Sequence, residues 1–176
     1  IGSWNVSNVE YMEAMFAEAT SFNNANSNSI GLWDVGNVTN MSGMFSSAKS
    51  FNQDIGSWNV SNVINMHYMF EETDAFNNGD KRSIGLWNVS NVENMGQMFL
   101  NAVAFNQDIS GWDVSKVLDM DQMFEGAIAF NQDISGWDVS KVLNMNHMFE
   151  GAIAYNQDIR RWKVNDDVEM EDMFKN

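Results

Sequence analysis

The seven tryptophans of this 176-residue chain stand at Trp4, Trp33, Trp58, Trp87, Trp112, Trp137 and Trp162, separated by 29, 25, 29, 25, 25 and 25 residues. Spacing that regular is an internal repeat. It restricts the chain to architectures in which one small unit is built again and again against its neighbours. An Ile stands three residues before every Trp (Ile1, Ile30, Ile55, Ile84, Ile109, Ile134, Ile159), and a Val two residues after (Val6, Val35, Val60, Val89, Val114, Val139, Val164). Each unit continues with a second Val, a Met, a Met-Phe pair, a small residue and Phe-Asn. All 14 Met and all 12 Phe fall in these columns.

Seven Trp in an irregular sequence would suggest stacking platforms for sugars or bases. Here every Trp occupies the same slot and is followed two positions later by Val, which sends both to one face of an extended segment. The Trp column is therefore predicted to be buried, and pairs such as Met120 with Met123 to be pliable core fillers and not metal ligands. The Ile, Trp and Val of each unit predict a short strand with a kink before it. Val9, Met12, Met15, Phe16 and Ala19 step by three, three, one and three, which predicts a short helix. Ser7 with Glu10, and Ser90 with Glu93, have capping-box spacing at the expected helix start. The Asn that follows the last aromatic residue (Asn23, Asn52, Asn77, Asn106, Asn131, Asn156) predicts a ladder of side-chain amides, because an amide can donate and accept between adjacent units.

Stacking supplies what a single 25-residue unit lacks, a second wall for its core and partners for its backbone. The expected fold is an α/β solenoid, leucine-rich-repeat-like, with seven coils of one short parallel strand and one short helix. The expected organisation is one repeat domain over residues 1–176. Opening in register at Ile1 and stopping after Met173-Phe174, it is expected to be a segment of a longer chain.

The phrase from Trp112 to Gly136, "WDVSKVLDMDQMFEGAIAFNQDISG", repeated from Trp137, resembles the repeat of the BspA-like leucine-rich-repeat surface proteins. The resemblance covers the whole chain, with Ile, Trp and Val in the places of the strand leucines. It implies that fold and a cell-surface role in adhesion to host or matrix components. The last unit departs from the pattern, with Asp167 in the slot of the second Val and Val168 displaced by one.

Composition narrows the partners. A formal charge of −15 and a pI near 4.2 repel nucleic acid and anionic lipid surfaces. No Cys is present for a disulfide or a thiolate metal site, and no apolar run approaches the ~18 residues of a membrane span. On the strand expectation, the residues flanking each Trp face outward. The candidate binding strip is Leu32, Asp34, Asn59, Leu86, Asn88, Asp113 and Asp138, suited to an extended protein or polysaccharide ligand. A plainly solvated face is the alternative, with Leu32 and Leu86 packed beneath the two four-residue insertions beside them. Asp108, Asp133 and Asp158 share one slot on consecutive coils. They are either turn residues bonding their own backbone or a column that calcium could bridge. The acidic cluster Asp166, Asp167, Glu169, Glu171 and Asp172 lacks calcium-loop spacing, and His67 and His147 are too far apart to pair. No nucleophile, base and orienting group converge in the pattern. The expected function is thus a non-catalytic, extracellular or cell-surface recognition module without a cofactor. The alternative is a structural spacer or filament segment, calcium-stabilised if the Asp column binds, whose partners are neighbouring repeats.

Overall fold

The computed structural model describes residues 1–175. Among them there is no α-helix and no β-strand. The regular elements are four short 3₁₀ helices, Asn24–Asn26, Asn28–Leu32, Asn78–Asp80 and Arg82–Leu86, all at the two insertions. The expected α/β solenoid with a strand and a helix in each coil is incorrect, and what replaces both elements is a succession of tight turns.

Where a strand was expected, the Trp33 amide donates to the Ile30 carbonyl at 3.1 Å, and the same turn closes at Trp58, Trp87, Trp112, Trp137 and Trp162. Where a helix was expected, three-residue closures follow one another: Met44 N to Met41 O, Ser46 N to Gly43 O, Ala48 N to Phe45 O and Phe51 N to Ala48 O. Successive turns reproduce the three-residue apolar spacing of a helix. They do not fuse into one because two positions in each of the first six units take positive φ, such as Gly43 (59°) with Ser47 (56°) and Gln122 (51°) with Gly126 (64°). A left-handed residue cannot continue a right-handed helix. The capping boxes do not form either: Ser7 N and Oγ both donate to Asn5 Oδ1, and Ser90 N donates to Asn88 Oδ1.

The amides that the turns leave over join the units. Met41, Gly43, Phe45 and Ser47 donate to the carbonyls of Asn65, His67, Met69 and Glu71 at 2.7–3.0 Å. The same four bonds recur at every junction from Met12→Asn40 to Gly151→Lys175, always from the earlier unit to the later. Isolated parallel bridges link Tyr11, Asn40, Asn65, Asn94, Asp119, Asn144 and Glu169 in one column.

Side chains stack in the same register. The Trp33 and Trp58 rings lie 6.4 Å apart and 1° from parallel, and Phe45 and Phe70 are 5.7 Å and 4° apart. Trp33, Trp58, Trp87, Trp112 and Trp137 are buried, as expected, whereas Trp4 in the first coil is 52% exposed. Each buried indole from Trp58 onward donates its N–H to the Ile carbonyl of the preceding unit, for instance Trp58 to Ile30 at 3.0 Å. This satisfies the polar end of an otherwise apolar ring. The asparagine ladder is present along its whole length: each Oδ1 accepts the amide of the next Asn, from Asn23–Asn52 to Asn131–Asn156, at 2.9–3.1 Å. One continuous apolar core runs from Val6 to Met173.

Candidate functional site

With the interior filled by these columns, any site must lie on the outer surface. The expected strip is there as a row: Leu32, Asp34, Asn59, Leu86, Asn88, Asp113 and Asp138 are all exposed. Its polar members are nonetheless engaged. Asp34, Asn59, Asn88, Asp113 and Asp138 each accept, through Oδ1, the amide two residues further on, at 3.1–3.2 Å. These are Asx turns, which hold the chain as it leaves the Trp slot. The bonds from Ser115 and Ser140 hold the Asp113 and Asp138 carboxyls below the usual carboxylate range. Leu32 and Leu86 do not pack beneath the insertions. Each ends a 3₁₀ helix with its side chain 83% exposed.

The Asp108, Asp133 and Asp158 column is a second row of Asx turns. Their Oδ1 atoms accept the amides of Ser110, Ser135 and Arg160 at 3.0 Å, and Arg160 adds a guanidinium pair to Asp158. Hydrogen bonds from these same partners lower all three carboxyl pKa values. Among the described residues no group of three or more His, Asp or Glu side chains could hold a metal ion, and each carboxylate of the column is a turn former that bonds its own backbone. The cluster from Asp166 to Asp172 lies exposed on the last coil. His67 contacts Gln97 at 3.0 Å and His147 contacts Glu150 at 2.6 Å, which raises the His147 pKa. The two imidazoles share no hydrogen-bond partner, although both are near enough to Asp121 to act on its carboxyl, whose pKa burial raises.

Among the described residues, an unpaired charge beside an open groove is found at the foot of the second insertion, where the other polar side chains, Asp80, Asn106, Gln107, Asp108 and Gln132, each make a bond to a neighbour. The inserted loop rises from the surface between two corners spelled alike, Asn52-Gln53-Asp54-Ile55 and Asn106-Gln107-Asp108-Ile109. Toward the first corner the loop is bonded down. Ile55 N donates to Asn78 Oδ1 at 2.9 Å, Gly79 N to Asn52 Oδ1 at 2.8 Å, and Ser83 Oγ to Asp54 Oδ1 at 2.8 Å. Gly79 suits that close approach: its φ is +58°, and a Cβ would come within 3.1 Å of the Asp54 amide nitrogen, whereas the first insertion has Ala25 at the equivalent place with φ of 49°.

Toward the second corner the loop leaves an open groove of about 330 Å³, walled by Asp80 and Arg82 and floored by Asn106, Gln107, Asp108 and Gln132. A second groove of about 230 Å³ shares Arg82 and Asp108 and extends the first past Leu86 to Ser110 and Gly111. Arg82 has no ion pair or hydrogen bond among the described residues, and its charge helps to keep the Asp108 carboxyl ionised. Asp108 uses only Oδ1 in its turn. A larger groove of about 370 Å³ along Asn37, Asn62, Asn91 and Lys116 offers less, because its amides donate to Ser7, Gly36 and Ser61 carbonyls and Lys116 donates to Asn91. Of the groove residues, the sequence suggested Leu86 and Asp108 as site residues, Asp108 for a metal. Arg82, Asn106 and Gln132 went unsuggested. The signal for them was the insertion itself, which places Lys81 and Arg82 in a chain otherwise dominated by acids.

A family model described as "Mycoplasma protein of unknown function, DUF285" matches residues 1–82 and again 79–176. The chain belongs to this family and is a repeat protein. No curated protein and no solved structure matches it.

Proposed function

We propose that this chain is a non-catalytic recognition module of the cell surface or extracellular space, which holds a protein or glycan ligand in the groove beside the second insertion. The observation that carries this is the Arg82 guanidinium, without a partner among the described residues, which lines an open cleft together with Asp108 between the second insertion and the uninterrupted corner that follows it. Elsewhere the polar side chains of the repeat are largely engaged in their own turns and ladders; the exception is a groove of about 390 Å³ where Arg161 and Lys163, beside Asp138, are also without a bonded partner among the described residues. The groove volume is at the low end of the range for ligand clefts. The surface location rests on the resemblance of the Trp112–Gly136 phrase to BspA-like surface repeats. An acidic surface with no membrane-crossing helix among the described residues fits a partner that is neither nucleic acid nor lipid. The test is an array of matrix proteins and glycans probed with wild type and Arg82→Ala in parallel. A ligand captured by wild type and lost by the variant supports the assignment. Equal capture by both moves the site elsewhere.

A structural spacer is the second reading, and one observation favours it. Because the four recurring bonds at each junction run from the earlier unit to the later, the Tyr11, Glu13, Met15 and Ala17 carbonyls and the Met170, Asp172 and Phe174 amides have no partners among the described residues. The two sets have the register of every internal junction. Sedimentation across concentrations decides it: association into longer rods supports the spacer, and a monomer throughout removes it.

A further inference from the structure

We infer that the groove at the foot of the second insertion is a socket for an extended peptide segment, neutral or basic in charge. This rests on the recognition role proposed above and narrows it to one ligand class. The molecule contains its own precedent. At the Asn52–Ile55 corner, a polypeptide loop is held by a side-chain amide accepting a backbone N–H, a loop Asn accepting the Ile55 N–H, and a loop hydroxyl donating to the corner carboxylate. The Asn106–Ile109 corner repeats the same four residues with no insertion above it: Asn106 Oδ1 accepts from Asn131 N and Gln132 Nε2, Asp108 Oδ1 accepts from Ser110, and the Ile109 N–H is left without a partner among the described residues. A segment from another chain can take the Ile109 N–H as Asn78 takes that of Ile55, with the Arg82 guanidinium and the second Asp108 oxygen beside it.

The chemistry of the groove favours peptide over sugar. Saccharide sites commonly lay a ring face on an aromatic side chain, and no aromatic residue lines either half of this groove. The large exposed aromatic residues are Trp4, Tyr11 and Phe174, on the first and last coils. Side-chain amides and a carboxylate, by contrast, match the alternating N–H and C=O of an extended backbone. Beyond Arg82 and Asp108 the groove becomes apolar on one side, where the exposed Leu86 faces Gly111, which has no side chain. That leaves room for one aliphatic residue of the ligand. Two carboxylates flank the single guanidinium, and the chain as a whole carries −15, so an acidic peptide would be repelled.

The loop that plugs the first corner supplies the probe: acetyl-NNGDKRSIGL-amide, the sequence of residues 77–86. Titrated into the isotope-labelled full chain to about 5 mM, a range that detects contacts of only ~4 kcal/mol, it should shift the side-chain amides of Asn106 and Gln132 and the backbone amides from Asp108 to Gly111. The amides of Asn52 and Gln53, already covered, should stay in place. Arg82→Ala should weaken the response roughly threefold or more. Unmoved groove resonances, or equal shifts with a scrambled peptide of the same composition, overturn the inference. Maltotriose is run in parallel. If it alone moves the groove, the recognition site stands and the peptide class falls. If neither probe moves it, the groove falls as the site as well.

Discussion

The corners Asn52–Ile55 and Asn106–Ile109 carry the same four residues in the same slots, and one is closed while the other is open. Within each corner the bonds to the unit before are alike: Gln53 Nε2 and Gln107 Nε2 both donate to the Asn of the preceding corner, at 2.7 and 2.9 Å. The difference comes from the unit that follows. After Asn52 it brings Asn78, Gly79 and Ser83 back onto the corner, and after Asn106 it brings only Gln132. A repeat slot thus fixes its own structure, but its availability to a partner is decided by whether the neighbour departs from the pattern.

Both corners hang on one aromatic stack, so the largest effect comes from breaking that. Trp87 is buried between Trp58 and Trp112 with its N–H on the Ile55 carbonyl. Trp87→Ala should cost about 3–5 kcal/mol in denaturant unfolding, and wild-type stability would contradict the ladder as the source of the fold. A smaller effect separates the corners themselves. Asn78→Ala removes the oxygen that serves the Ile55 amide in a buried setting, a loss of about 1–3 kcal/mol. Gln132→Ala on the open side should cost no more than about 0.5 kcal/mol. Equal losses would mean the two corners are not energetically distinct.

Smaller again is the pH response. The Asp108, Asp113, Asp133 and Asp138 carboxyls are held below their ordinary value by hydrogen bonds from Ser110, Ser115, Ser135 and Ser140. A carboxyl depressed in the folded state contributes stability above the unfolded-state pKa of about 4, lost as pH falls through the lower folded value. These carboxyls should leave the melting temperature unchanged near neutrality, where only the His147–Glu150 pair loses stability as pH rises through the raised His147 pKa, and should lower it below about pH 4, with Asp108→Asn shallower than wild type there. A rise on acidification below that pH would refute the turn role. The smallest expected effect is none: calcium and chelator should leave the melting curve unmoved, and a chelator-dependent fall would return the Asp108, Asp133 and Asp158 column to metal binding.

The columns of Trp, Val, Met, Phe and Asn were legible because burial and the amide ladder place the same demand on every unit. The backbone that carries them was not, since a three-residue apolar step belongs equally to a helix and to a series of turns. What separates the two is chirality at slots such as those of Ala14 and Tyr68, both at positive φ although neither residue favours it. Gly43 stands in that slot, and Gly126 and Gly151 in the second positive-φ slot with Glu18 and Glu72; these glycines were the available sign. The exposed strip misled for a related reason. Asp-Val-Ser and Asn-Val-Ser, like Asp-Ile-Ser in the neighbouring row, look outward-facing and free, but the Asx oxygen in each accepts the amide two residues on. The groove was invisible because it is formed by residues from three units, and only the loop's docking on one side shows which side is left open.

The junction bonds have an electrical consequence. Four amides per junction point toward the Trp162 coil and four carbonyls point back, so their peptide dipoles add along the stack as they do along a helix axis, against a weaker return from bonds such as Thr39 N to Glu10 O. In ordinary sheets strand dipoles alternate and largely cancel. Here the Trp162 end is the positive pole, and Glu169, Glu171 and Asp172 sit where the amides emerge, in a favourable field. Glu10 and Glu13 lie on the Trp4 coil, where the carbonyls emerge, and the same charge works against the field there. The rod is therefore a polar object whose two ends present unlike potentials to anything that approaches along its axis.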